Sequence, residues 1–165
     1  MHGGETSALI LPLALPFVTA GLILAVRRHT TLRDVVPVAG SLLTFLSVLS
    51  LLPEIRTGAL PHVLAAVVYP GIAVRFCLDS MGFLFAATAS LLWVLASVYC
   101  IGYLKVLHEH AQTRFHVCYT LAAGGGIGAA CAGNLFTLYL FYEIVTVVTY
   151  PLVAHHQDAR AYQSG

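Results

Sequence analysis

Glu143 places a carboxylate in the middle of an apolar run, and that placement implies proton or cation chemistry. The run Asn134-Leu-Phe-Thr-Leu-Tyr-Leu-Phe-Tyr-Glu143-Ile-Val-Thr-Val-Val-Thr-Tyr-Pro-Leu-Val-Ala154 is long enough, at about 1.5 Å per helical residue, to cross a hydrocarbon core of about 30 Å. Glu143 falls near its midpoint, where inserting a charge costs roughly 2.5–3.5 kcal/mol. No other Asp, Glu, Lys, Arg or His is expected inside an apolar span. Tyr139, Glu143, Thr146 and Tyr150 follow one another at spacings of four, three and four residues, which sets them on one helical face. Such a polar seam can hydrogen-bond water and carry a proton wire. It can also simply pack against a neighbouring helix, with Glu143 held neutral. Pro151 has no N–H to offer the carbonyl of Val147, which leaves that acceptor free for water or a cation, or merely kinks the helix.

The remaining candidates are weaker. Of the eight histidines, His108, His110 and His116 are expected in a polar loop, and His155 and His156 follow the apolar run. Metal binding there would need carboxylates from elsewhere, so solvated histidine is preferred. His155 and His156 are candidates for relaying protons to Glu143, because imidazole titrates near neutral pH. The cysteines Cys77, Cys100, Cys118 and Cys131 form no CxxC pair, and no metal site is expected. Gly124-Gly-Gly-Ile-Gly128 superficially suggests a phosphate loop, but it lies within an apolar stretch and lacks a following Lys-Ser/Thr. Gly124, Gly128 and Gly133 instead have the small-residue spacing that lets helices approach closely. With no nucleophile–base pair, oxyanion motif or cofactor fingerprint, neither a catalytic site nor a cofactor is expected.

These residues need a membrane-embedded scaffold to position them. Hydrophobic residues make up 59% of the 165 positions and charged residues 9%, with a mean hydropathy of +0.87. Soluble domains carry about 25% charged residues, so the composition is that of an integral membrane protein. A net charge of +1 without a basic patch excludes nucleic-acid binding. The expected architecture is all-α with five transmembrane helices, at about 7–26, 35–52, 80–104, 116–133 and 134–154. Asp79 is expected to cap the third. Between the second and third, two β-rich runs flank Pro70-Gly71 and predict a short hairpin-like loop over about 63–77. The first span is expected to stay in place as an anchor, because basic residues follow it rather than precede it. Arg27, Arg28, Arg33, Lys105, Arg114 and Arg160 fall on one side of this arrangement, and Arg56 and Arg75 on the other. The positive-inside rule then predicts a multi-pass protein of the cell (inner) membrane, with the N-terminus and hairpin outside and the C-terminus cytoplasmic.

Two stretches carry a family resemblance: Phe76-Cys-Leu-Asp-Ser-Met-Gly-Phe-Leu-Phe85, and Gly133 through Val153 around Glu143. Together they resemble the antiporter-like proton-conducting membrane family. That family comprises the large membrane-arm subunits of complex I (NADH-quinone oxidoreductase), their counterparts in membrane-bound hydrogenases, and the A-type and D-type components of Mrp cation/proton antiporters. The Leu-Tyr-Leu-Phe-Tyr-Glu and Thr-Tyr-Pro-Leu-Val pieces resemble the D-type Mrp component most. The resemblance implies three leading helices (1–115) followed by the first two helices (116–165) of a proton-conducting repeat. It implies that Glu143 handles protons by pairing with a lysine on a later broken helix, and that H⁺ moves, with Na⁺ or K⁺ as candidate co-substrates. It also implies partners: other membrane subunits of a multisubunit antiporter or a complex I-like assembly, within a lipid bilayer. An enzymatic role arises only by association with such a quinone-reducing assembly. Lys105 is the only lysine here and is expected at the far end of the third helix, so the lysine partner is expected from a longer chain or a second one. The alternative to transport is a scaffold whose helices only assemble.

Overall fold

The structure, a computed structural model, describes residues 7–58, 60–106 and 112–153. After a 3₁₀ turn at Ser7–Leu9 come α1 (Ile10–Ala25), α2 (Thr30–Leu49), a short α3 (Leu52–Arg56), strands β1 (His62–Tyr69) and β2 (Ile72–Cys77), then α4 (Ser80–Val106), α5 (Gln112–Ala130) and α6 (Leu135–Val153). The five long helices and the hairpin occupy the expected stretches. By length and composition, Thr30–Arg56, Ser80–Tyr103 and Leu135–Leu152 can each cross a membrane, and α1 is a shorter apolar helix.

One boundary differs usefully from expectation. The second helix starts at Thr30 rather than near residue 35, and the charged residues Arg33 and Asp34 lie inside it. Hydropathy ends a span at the first charges, whereas backbone hydrogen bonding ends a helix only where the ladder stops. These charges are tolerated because they are partnered: Arg33 and Asp34 form an ion pair at 3.3 Å, and the Arg33 guanidinium also donates to the Gln112 side chain of α5.

α1 packs on α2 and α5, α2 on α4, and α4 on α5, closing a four-helix ring. α6 lies outside the ring, against α5 and β2. Two glycines explain how closely the ring helices approach. A Cβ on Gly40 of α2 would run into Thr19 of α1, and one on Gly124 of α5 would lie 2.7 Å from Pro16 of α1. At the hairpin end the core is apolar, with Leu9, Leu13, Val48, Leu51, Phe76, Leu78, Ala86 and Ile127 packed together.

The hairpin is antiparallel, pairing His62 with Cys77 and Tyr69 with Ile72. Pro70-Gly71 turns it. Gly71 has φ +94°, a conformation that costs a glycine little and is required at the third position of a type II turn. β2 is stitched onto the α5–α6 turn: the Cys77 N–H donates to the Cys131 carbonyl (2.9 Å) and the Gly133 N–H to the Arg75 carbonyl (2.8 Å). Asp79 caps α4 by accepting the Gly82 N–H at 2.6 Å.

A candidate proton site on the sixth helix

α6 begins at Asn134, whose side chain works in two directions. Its Oδ1 accepts the Thr137 N–H at 2.8 Å, an N-cap, and its Nδ2 donates to the Ala73 carbonyl of β2 at 2.6 Å. Thr137 completes the joint by accepting the Arg75 N–H at 2.9 Å. The start of the helix carrying Glu143 is therefore locked to the hairpin by side chains as well as backbone.

One face of α6 meets the ring. A Cβ on Gly125 would lie 2.6 Å from Val145, and one on Gly128 would overlap the Phe141 ring. Phe141 also makes edge contacts with Phe76 (5.6 Å) and Phe17 (6.4 Å). At 3.6 residues per turn, Tyr139, Glu143, Thr146 and Tyr150 lie about half a turn away from Phe141 and Val145. The seam accordingly points away from the ring: Tyr139 is 59% exposed and Tyr150 46%, Thr146 is exposed, and Glu143 is half-buried.

Chemically, the seam is a carboxylate with one neighbour in reach. Tyr139, one turn earlier on the same face, is the polar side chain that interacts with Glu143. Thr146 turns its hydroxyl back to the Tyr142 carbonyl at 3.0 Å. Pro151 sits inside the helix, so the Val147 carbonyl lacks its usual i+4 donor. Among the described residues Glu143 makes no ion pair; the one present is Arg33–Asp34. Two cavities flank this region. One, of about 380 Å³, is lined by His62, Arg75, Cys77 and Gly133; the other, of about 410 Å³, lies between α1, β1 and Phe141. Glu143 lines neither.

Several expected residues are placed differently. His116 is not in a polar loop: it is in α5 and 1% exposed, because the helix starts at Gln112 and its first turn is roofed by Arg33 and Asp34. Glu143 is therefore not alone among ionisable groups within the helices, since Asp34 is 6% exposed. Cys77 ends β2, the second run of the expected hairpin. Gly133 sits in the α5–α6 turn with its position against the Arg75 backbone, 3.1 Å from a notional Cβ. His108, His110, His155 and His156 lie outside the described residues. Sequence reading missed Asn134 and Thr137. An Asn three residues before a Thr at the head of an apolar run is a cap signal that could have found the first.

The fold is that of a helical membrane protein with a small antiparallel hairpin. In sequence the chain is similar to components of cation/proton antiporters and of an NADH-quinone oxidoreductase. The chain is 29% identical over 153 residues to the D-type component of a probable K(+)/H(+) antiporter of Rhizobium meliloti, covering 89% of this chain and 28% of that protein. It is 28% identical over 124 residues to the A/B-type component of a probable K(+)/H(+) antiporter of the same organism, 73% of this chain and 12% of that one. To the N-type component of the NADH-quinone oxidoreductase of Halorhodospira halophila it is 35% identical over 86 residues, 52% of this chain and 18% of that one. In fold it matches the membrane-bound sulfane sulfur reductase, an archaeal respiratory membrane complex, with a TM-score of 0.74 at 18% identity over 89% of this chain and 23% of the matched one. The chain spans less than a third of the length of these relatives. No protein-family model matches it.

Proposed function

We propose that this chain forms part of a proton-translocating, antiporter-like membrane protein of the Mrp D type, with Glu143 as its proton-handling carboxylate. The observation that carries the reading is the orientation of Glu143. It lies on an apolar helix, with Tyr139 one turn before it, on the face that the ring leaves uncovered. A carboxylate so placed is complete only when another helix brings a counter-charge to it, and a basic residue on a further membrane helix fits that requirement. Protonation and release of Glu143 would then respond to the approach of that charge. Tyr139 orients the carboxylate, and the freed Val147 carbonyl beside Pro151 offers a second acceptor for water or a monovalent cation. His155 and His156 would connect the far end of the seam to the aqueous side.

The basic residues support the proposed orientation in the cell membrane. Arg27 and Arg28 at the α1–α2 turn share one end of the ring with Arg33 and Arg114, which would be cytoplasmic, and the hairpin end would face outward. Other membrane subunits are the proposed partners, with protons and Na⁺ or K⁺ as the transported species. A second reading, an antiporter-like component of an NADH-quinone oxidoreductase, is favoured by the match to the N-type component of that enzyme. Both assign Glu143 the same task.

The test is ion translocation by the complete assembly in proteoliposomes. Glu143→Ala and Glu143→Gln are expected to abolish proton movement with insertion and assembly intact, and Glu143→Asp to retain part of it. Normal translocation by Glu143→Gln would leave the chain as a scaffold with a satisfied buried acid.

A further inference from the structure

The interior of the four-helix ring contains a second group of polar side chains that the Glu143 seam does not use. His116 and Thr120 lie one turn apart on α5, and Trp93 and Ser97 one turn apart on α4. All four are at most 2% exposed, yet among the described residues His116 Nδ1, Thr120 Oγ1, Trp93 Nε1 and Ser97 Oγ have no hydrogen-bond partner. The other buried hydroxyls of the ring behave differently: Thr19, Ser41, Thr44, Ser47 and Ser90 each donate to a carbonyl of their own helix at 2.7–2.9 Å. Buried polar atoms without partners are rare in native proteins, and several gathered in one interior are the usual setting of internal water.

The group is also connected. α4 and α5 run antiparallel, with Gly82 beside the Ala130 carbonyl at one end. Further along, the Tyr119 hydroxyl, a neighbour of Ser97, reaches the Trp93 carbonyl at 3.4 Å. Ser97 and His116 are thereby brought to one depth, and Trp93 and Thr120 to a depth about one turn further in. At the outer end, Asp34 and Arg33 of α2 act electrostatically on His116, and Arg33 joins Gln112 at the head of α5.

We propose that this interior is a second proton-binding site, in which His116, braced by Asp34, exchanges protons with internal water held by Thr120, Ser97 and Trp93. The imidazole takes a proton from hydronium, forming an N–H bond and leaving water, and returns it by the reverse step. The Asp34 carboxylate attracts the buried cation so formed, against the repulsion of Arg33 and the cost of burial. Among the described residues, Arg33 and Asp34 of α2 act on His116, Arg114, Cys118 and Tyr119 neighbour it along α5, and Cys100 of α4 lies by Tyr119. Of these side-chain types, imidazole is the one whose charge changes near neutral pH. The site is independent of Glu143.

Trp93 is the sole tryptophan and provides the readout. In the full chain reconstituted in lipid nanodiscs, indole emission is expected to lie to the red of an indole in hydrocarbon and to change on transfer from H₂O to D₂O. It is also expected to shift as bulk pH falls from 8 to 5. The pH response should be lost in His116→Gln, with helical circular dichroism retained, and kept in Glu143→Gln. Emission typical of dry hydrocarbon, insensitive to solvent isotope and to pH, would overturn the proposal. A pH response that survives in His116→Gln would do the same. Should His116→Gln fail to fold, the isotope effect in the wild-type chain decides between a wet and a dry interior.

Discussion

The sixth helix and the interior of the ring handle polar groups in opposite ways. Of the apolar window Leu135–Leu152 on α6, only 6% is buried, against 39% of Thr30–Arg56. α6 keeps apolar residues on its packed face and turns Tyr139, Glu143, Thr146 and Tyr150 outward. The ring does the reverse. The buried stripe of α2 is Asp34, Pro37, Gly40, Ser41, Thr44, Ser47 and Val48, while Val35, Leu42, Leu43 and Leu46 are exposed. Lipid is as apolar as leucine, so a membrane helix gains little by burying leucine against its neighbours; small and hydroxyl-bearing residues gain more through close approach. The ring is thus a finished interior, and the seam of α6 is one half of an interior.

The sharpest way to break the comparison is to damage the ring alone. Asp34→Ala leaves Arg33 without its carboxylate and His116 without its brace. Losing one partner of a buried pair costs about 3–5 kcal/mol, and the Arg33 and Asp34 side chains are 13% and 9% exposed, so the lower end applies. Thermal unfolding in nanodiscs should register that loss, together with a changed Trp93 emission. Gly128→Val strikes the other side. The added methyls displace the Phe141 ring, an overpacking cost of about 3 kcal/mol, and α6 loses its seat on α5. Trp93 emission should stay as in the wild type; a shift would mean that the ring and α6 are a single unit.

The contrast also decides what could be read from the sequence. Apolar run length made the five helices legible, and Pro70-Gly71 between β-rich runs made the hairpin so. Glu143 stood out because it interrupts a run of large apolar residues. Asp34 and His116 did not, because hydropathy treats a charge near a helix end as the edge of a span. Nothing local says that Arg33 and Gln112, 79 positions apart, will meet and bury both. The polar stripe of α2 was equally hidden: Ser41, Thr44 and Ser47 are unremarkable in sequence, and only the ring shows that they face inward. Asn134 reads locally as a cap, but its hold on Ala73 needs the hairpin in place.

That hold gives a smaller and more local test. Asn134→Ala removes the cap, worth about 1 kcal/mol, and leaves the Ala73 carbonyl without its side-chain donor, worth about 1 kcal/mol more. Both losses fall at the joint between β2 and α6, far from His116. Hydrogen exchange should quicken at the N–H groups of Arg75, Cys77 and Gly133, with ring amides unchanged. Equal loosening at Thr120 and Ser97 would contradict a joint that serves α6 alone.

Thr146→Val should have the least effect on stability and is the most discriminating for the seam. The Thr146 hydroxyl donates to the Tyr142 carbonyl of its own helix and is exposed, so a valine of nearly the same shape should change stability by less than about 0.5 kcal/mol. A purely structural seam would leave ion translocation by the complete assembly equally untouched. If the seam instead carries ordered water to Glu143, the lost hydroxyl removes one station beside the carboxylate, and translocation falls while unfolding does not. Stability and transport therefore separate at this position only if the outward face of α6 is functional, whereas at Asp34 they fall together whichever reading holds.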